Sequence, residues 1–334
     1  MKKIRVSVIG VGYLGRFHAE KYAKMDNVDL VGVVDINQKR AHLVSKSVAA
    51  QAYFDYRDLF GKTDATSIVV PTPLHCEIAT ACLSQGIDCL IEKPMTTTLD
   101  EADRLIYEAE SRGLILQIGH LERFNPAIMA LKDLVGIPMF IESHRLRSPF
   151  HERGTDVDVV LDLMIHDIDI ILSIVPSNLK GIQAVGVPVL SPSIDIANAR
   201  LHFENGCVAN ITASRISGKQ MRKIRIFQED AYLSVDCAQR NISVVRRVKD
   251  KVSKVISNEL KFAESDPLEE ELATFIRSAR ERTPPIVSGR DGRRALQVAL
   301  MITDEITKAL DQPKNKIRSR QPQEYGLKHQ TQGF

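Results

Sequence analysis

The chain lacks three features that would each have set its class at once. It has no Cys-x-x-Cys pair: Cys76, Cys82, Cys89, Cys207 and Cys237 are odd in number and irregularly spaced. That excludes the usual zinc and redox frameworks and makes buried, reduced thiols and no metal the expectation. It has no apolar run near the ~20 residues that span a bilayer, so no membrane partner is expected. It has no marked charge of one sign, since 45 Lys and Arg against 42 Asp and Glu leave +3 over 334 residues, too little to mark a nucleic-acid surface. The basic run Arg246, Arg247, Lys249, Lys251 and Lys254 has no interleaved aromatics and reads as a solvated turn. Met1-Lys2-Lys3 before the apolar Ile4 to Gly10 imitates a secretory leader, but the run is short, has no small-residue cleavage site and passes into glycines. Cytoplasm is the expected compartment.

What is present is a globular composition, 44% hydrophobic and 26% charged, long enough for two domains. The first 120 residues alternate short β-type runs (4–9, 29–34, 51–54, 67–70, 88–91, 115–118) with amphipathic stretches (18–25, 38–47, 77–85, 99–112). Such alternation predicts a Rossmann-like, doubly wound parallel sheet. After Gly119 the pattern changes. A helix over 121–135, a strand over 138–147 and a long apolar helix over 157–175 precede strands around Leu201, Ala209, Ile224, Leu233 and Ile242 that alternate at period 2. The fold class is therefore α/β: a Rossmann domain at 1–120, then a second α/β domain at 121–312 with a large, open, mostly antiparallel sheet. Helices over 267–282 and 288–310 close it, with 288–311 packing back on the first domain, and residues 313–334 form a polar tail. An open sheet face of this kind wants a partner, so a homo-oligomer is expected.

The sharpest local signal is Gly10-Val11-Gly12-Tyr13-Leu14-Gly15 between the first strand and first helix. There Gly10 permits a tight turn, Gly12 lets a pyrophosphate approach the backbone, and Gly15 lets helix pack on strand. Asp35, twenty residues after Gly15 at the end of the second strand, is placed to accept from both ribose hydroxyls and favours NAD over NADP, a preference that Arg40 could soften. Lys93 follows an apolar strand at its carboxyl end, the edge where open α/β sheets bind ligands, and a cation there stabilises alkoxide character on a reacting oxygen. Asp162 and His166 stand four apart in an otherwise apolar helix, so they share a face. Imidazole suits proton transfer near neutrality; a satisfied buried network is the competing account.

With the glycine motif, Asp35, Thr72-Pro73-Leu74-His75 and Glu92-Lys93-Pro94 in order at strand ends, the chain resembles the Gfo/Idh/MocA (glucose-fructose oxidoreductase, inositol dehydrogenase, rhizopine catabolism) family over nearly its whole length. The resemblance implies a nicotinamide-dependent sugar or cyclitol oxidoreductase, with Thr72, Pro73 and His75 along the nicotinamide half of the cofactor and Glu92 orienting Lys93 or contacting the ribose. It also implies catalytic Lys93, Asp162 and His166, although Met164 stands where the family pattern Asp-x-Gly-x-His has glycine. Gly119-His120-Leu121-Glu122-Arg123-Phe124-Asn125-Pro126 resembles the family's domain junction, which makes His120 a cofactor candidate and Glu122, Arg123 and Asn125 sugar candidates. Each would serve equally as a helix cap or interdomain salt bridge. His151, in Phe150-His151-Glu152-Arg153, joins the substrate candidates. Within the family, these segments look most like the branch that oxidises the 3-hydroxyl of UDP-N-acetylglucosamine for lipid A diamino sugars, whose product goes to an aminotransferase. A pyrophosphate in the substrate would need Arg123, Arg145, Arg147 or Arg153. An inositol or free-sugar dehydrogenase and a non-catalytic NAD-binding regulator remain the alternatives.

Overall fold

A computed structural model describes residues 3–148, 157–247 and 255–312. The first layer is built from β1 (Ile4–Ile9), α1 (Tyr13–Tyr22), β2 (Val28–Val34), α2 (Gln38–Val48), β3 (Gln51–Tyr53), β4 (Ala65–Ile68), α3 (His75–Ser84), β5 (Asp88–Glu92), α4 (Leu99–Ser111) and β6 (Leu116–Gly119). Its six strands are all parallel in the order β3-β2-β1-β4-β5-β6. The chain order reverses between β1 and β4, and a ligand crevice opens at such a point along the carboxyl edge. All four residues of β4 and the first four of β5 are buried, as expected of strands covered on both faces. Thr98 and Glu101 form a reciprocal capping box that starts α4.

The second layer begins where the single helix expected over 121–135 breaks up. Its place is taken by a tight turn at Leu121–Phe124, α5 (Pro126–Met129) and α6 (Leu131–Leu134). Pro126 has no N–H to give and forces Asn125 into extended backbone (φ −67°, ψ 127°), so the helix restarts there. Then follow β7 (Phe140–Leu146), a π-helical turn at Val160–Met164, α7 (Ile165–Ile174), β8 (Leu179–Val187), β9 (Ile196–Phe203), β10 (Val208–Ser214), β11 (Met221–Phe227), β12 (Ala231–Asp236), β13 (Asn241–Arg247), β14 (Val255–Lys261), α8 (Pro267–Glu281) and α9 (Gly289–Leu310). The eight-stranded sheet runs β14-β13-β12-β11-β7-β10-β9-β8 and is antiparallel except where β10 pairs with β7. One face packs on α7 and α9; the other is open.

Two of these strands escape the period-2 reading. A bulge between Leu179 and Gly181 breaks the alternation of β8, and β14 is exposed along its whole length, so it has no buried face to leave a pattern. Arg246 and Arg247 complete β13 instead of lying in a turn, while Lys249, Lys251 and Lys254 fall outside the described residues. Helix α8 packs on α1, and α9 joins the layers: Ser288 bridges to Gln117, and a Cβ on Gly292 would stand 2.6 Å from Ile118. The five cysteines are all buried and unpaired.

Candidate active site

The glycine turn meets tight steric demands at two of its three glycines. A Cβ on Gly15 would lie 1.8 Å from the carbonyl of Gly10, and Gly10 itself has φ +86° with a virtual Cβ 2.5 Å from the Val69 carbonyl. Gly12 is different: its virtual Cβ meets only the Arg40 guanidinium, at 3.5 Å, so protein packing does not require glycine there. Gly12 also starts α1 without a side-chain cap, leaving the positive end of the helix to an anion. A cavity of about 530 Å³ runs from Gly10 and Gly12 past Asp35, Ile36 and Arg40 to Tyr56 and Leu74. Its shape, apolar walls and acidic end fit the adenosine half of NAD.

Asp35 is 7% exposed and already accepts from the amides of Val11 (3.1 Å) and Asn37 (2.8 Å), with Arg40 at 3.5 Å. It pins the glycine turn to the end of β2 and lines the cavity. Tyr13 and Leu14 open α1 and are exposed. In the turn after β4, Pro71 and Leu74 line the cavity; Thr72 and Pro73, expected along the nicotinamide half, stand in the same turn outside this adenosine-half cavity. Both ring nitrogens of His75 face carbonyls, Nδ1 that of Pro94 at 3.0 Å and Nε2 that of Val70 at 2.8 Å. It clamps the β4 turn to the Lys93–Pro94 turn, and its burial lowers its pKa.

Beyond β5 the groups of both layers converge. Lys93 Nζ donates to the backbone carbonyl of Asp162 at 2.7 Å and lies 3.5 Å from its Oδ1, and Arg147 binds the other carboxylate oxygen. Asp162 lies in the π-helical turn, where its carbonyl and its own carboxylate meet one cation. Asp162 is therefore held by Lys93 and Arg147, and neither carboxylate oxygen bonds the His166 ring. Met164, in the glycine's place, is wholly buried in the core of the second layer. His166 Nδ1 is buried without a partner, and so are both nitrogens of His120, whose ring stands edge-on to it at 6.3 Å. Burial, reinforced for His166 by the Lys93 and Arg145 cations, holds the pKa of His166 well below the ordinary imidazole value; His120 is also lowered by burial. Two uncharged imidazoles thus flank one ammonium.

The junction candidates divide. Asn125 spends its amide on the Cys237 carbonyl (2.9 Å) and its oxygen on capping Ala127 (3.1 Å), which makes it a helix cap and not the expected sugar contact. Arg123 pairs with buried Asp169 at 3.4 Å, where burial raises the carboxyl's pKa more than Arg123 and His120 lower it. Glu122 bonds Arg145 at 2.8 Å and approaches Arg222 at 3.4 Å; although burial opposes it, these two cations hold Glu122 below the ordinary carboxylate value. Arg145 also forks onto Asp167, with both contacts at 2.9 Å. Of the expected pyrophosphate arginines, Arg123 and Arg145 are thus spent on buried pairs. Arg147 keeps an accessible guanidinium, and it is joined by Arg222, which is directly opposite Arg145 in the β7–β11 register and so on the same sheet face. Nothing in the local sequence singles out Arg222; only the strand pairing does. His151, Glu152 and Arg153 lie outside the described residues.

Glu92 ends β5 with Oε1 3.3 Å from His18 Nε2 of α1 and Oε2 accepting from the Lys93 amide at 3.2 Å. Gly119 makes the space, since a Cβ there would be 3.1 Å from the Glu92 carboxylate. Burial works against ionisation, but His18 and Lys93 hold the carboxyl below its ordinary value.

Residues 4–120 match the Gfo/Idh/MocA oxidoreductase family with an NAD-binding Rossmann fold, and residues 140–234 match the Gfo/Idh/MocA C-terminal domain. The UDP-N-acetylglucosamine 3-dehydrogenase of Acidithiobacillus ferrooxidans is 39% identical over 306 residues, 90% of this chain and 97% of the relative. A solved structure of an enzyme of that name and organism superposes with a TM-score of 0.88 at 38% identity, covering 93% of this chain and all of the other. A myo-inositol 2-dehydrogenase of Thermotoga maritima is 28% identical over 88% of this chain and 93% of its own.

Proposed function

The chain belongs to the Gfo/Idh/MocA family of NAD-binding oxidoreductases, and from that premise we propose that it oxidises the 3-hydroxyl of UDP-N-acetylglucosamine to a ketone. Bound NAD supplies the hydride acceptor. The C3 hydrogen leaves as hydride, the hydroxyl proton passes to His166, and the products are the 3-keto sugar, reduced cofactor and one proton. Lys93 gives two of its three protons to Asp162 and has the third for the reacting oxygen, where it stabilises the alkoxide as it forms. His166 accepts because its ring is kept uncharged. Asp162 and Arg147 hold Lys93 in place.

The observation that carries this chemistry is the meeting of Lys93, Asp162 and the unpartnered nitrogens of His166 and His120 at one point. A purely structural cluster would satisfy those nitrogens. The similarity of the A. ferrooxidans enzyme over 97% of its length supports the substrate, and the accessible guanidinium groups of Arg147 and Arg222 suit a nucleotide diphosphate. The natural consumer of the product is an aminotransferase, as in supply of a diamino sugar to lipid A. The open face of the second sheet, with Phe140, Phe227 and Tyr232 in contact, is read as a subunit interface of a homo-oligomer. Light scattering that finds a monomer at micromolar concentration would remove that part of the reading.

The test is reduction of NAD by purified protein with UDP-N-acetylglucosamine, UDP-glucose, myo-inositol and glucose in parallel. Turnover with UDP-N-acetylglucosamine alone is expected. Turnover with a free polyol instead would move the protein to the cyclitol branch, and NAD binding with no turnover would make it a sensor.

A further inference from the structure

The Lys93 turn is held from behind by a residue of α1 to which the reaction above gives no role. His18 is 1% exposed and stands on the buried face of α1 with Gly15, Ala19 and Tyr22. Its Nε2 lies 3.3 Å from Glu92 Oε1 at the carboxyl end of β5, a strand that β4 separates from β1, while its Nδ1 is buried with no hydrogen-bond partner. Glu92 is thus the polar contact of the ring. A leucine on this face would carry no desolvation cost, whereas an imidazole with one nitrogen unmet does. The hold on Glu92 is what the histidine adds.

The carboxylate that His18 meets sits in a prepared place. Glu92 Oε2 accepts from the Lys93 N–H at 3.2 Å, so its two oxygens join α1 to the backbone of the residue that carries the reacting ammonium. Gly119 of β6 is paired with Glu92, and a Cβ there would stand 3.1 Å from the Glu92 carboxyl and 3.2 Å from its Cα. The missing side chain makes the room. Lys93 is therefore anchored at both ends, its amide through Glu92 to α1 and its Nζ at 2.7 Å to the Asp162 carbonyl. The amino end of that same α1, at Gly12, is the uncapped one left open to an anion.

We propose that His18 is a positioning residue of the dehydrogenase site: by holding Glu92 from Nε2 it fixes the backbone of the Lys93 turn, and so the ammonium, to the helix whose amino end receives the cofactor phosphates. The proposal rests on Lys93 acting in the oxidation. It accounts for an imidazole on the buried face of α1, where its neighbours Ala19 and Tyr22 pack into the core.

The test measures kcat and the NAD dissociation constant for His18→Gln, His18→Asn and His18→Leu, each alone and combined with Lys93→Met, with the sugar that wild type turns over. Gln brings an amide donor to about where Nε2 lies, so it should recover turnover to within about threefold of wild type. Asn is a methylene short and Leu has no donor; both should lower kcat by at least about tenfold, as a displaced catalytic group does, with NAD affinity within about twofold of wild type. In the Lys93→Met background neither should lower kcat further by more than about twofold, since a residue that acts through Lys93 has nothing left to position. A merely structural defect would persist there. Wild-type kcat in the Asn and Leu variants, a Gln variant as impaired as the Leu variant, or equal losses with and without Lys93 would each overturn the role. Should the Leu variant fail to fold, the contrast of Asn with Gln decides alone. Crystal structures of wild type and His18→Asn need no substrate: Glu92 should release the Lys93 amide and Lys93 Nζ should shift by about 1 Å or more from the Asp162 carbonyl, and superimposable Lys93 turns would overturn the proposal. If no sugar is turned over at all, the proposed reaction fails while these structures still decide the role of His18.

Discussion

The two sheets treat their polar residues in opposite ways. At the carboxyl edge of the parallel sheet, the groups proposed to meet a ligand come from short local motifs, each at the end of a strand: Gly10 to Gly15, Asp35 and Glu92-Lys93. In the second layer, chemistry depends on pairs far apart in sequence, Arg145 with Glu122 and Asp167, Arg123 with Asp169, and Asp162 with Lys93 across 69 residues. The parallel edge can rely on backbone geometry because free amides and dipoles sit at strand and helix ends by construction. The second layer offers no such ends to the cleft, so it builds a charged wall from paired side chains: Arg145 and Arg222 outweigh the burial of Glu122, whereas burial outweighs Arg123 at Asp169. On the function proposed above, the site therefore has a cofactor half made of main chain and a substrate half made of ion pairs.

The largest break in this comparison falls where the halves touch. Lys93→Met should lower kcat by about two orders of magnitude or more while NAD affinity stays near wild type, because the cofactor half does not use the ammonium. Equal loss of NAD binding in a fluorescence titration would show that the halves are not separable.

The glycine turn sharpens the comparison inside the cofactor half. Gly15→Ala must move the Gly10 carbonyl out of a 1.8 Å overlap, and a loss of about 3 kcal/mol in denaturant unfolding is expected. Gly12→Ala meets only ordinary contact. Its stability should stay within about 0.5 kcal/mol of wild type while the NAD dissociation constant rises about tenfold. If Gly12→Ala instead unfolds the protein and leaves affinity intact, that glycine serves packing and not a ligand.

The smallest effect is in pH. His120 has an ordinary value of 6.5 that burial lowers in the folded chain. The unfolded chain takes up that proton as pH falls below about 6.5 and the folded chain does not, so stability is full above this value and is lost on the way down through the lowered one. His120→Phe should therefore lose less stability on acidification than wild type, by up to about 1.4 kcal/mol per pH unit, in urea midpoints between about pH 7 and about pH 5. Parallel midpoint curves for the two proteins would mean that the imidazole titrates freely in the folded state.

Legibility in the sequence follows the same division. The parallel sheet could be read because each strand is a short apolar run and each motif stands at its end, so Lys93 and Asp35 could be placed from local pattern. The clamp that His75 makes could not, because its partner, the Pro94 carbonyl, is 19 residues away. For Asn125 a cap and a ligand contact look alike until the chain after Pro126 is seen to restart as α5. Arg222 left no signal at all, being a cation on a strand with many neighbours of the same charge.

What the sequence by itself determined is the alternation of strand and helix, the glycine turn and the order of the strand-end motifs, since these depend on backbone conformation and on side chains within a few residues of each other. The tertiary structure decided which charges are spent and which are free. Burial and pairing set the state of an ionisable group, and both are properties of neighbours that arrive from other elements: α1 at Glu92, β7 and β11 around Glu122, and the π-helical turn at Lys93.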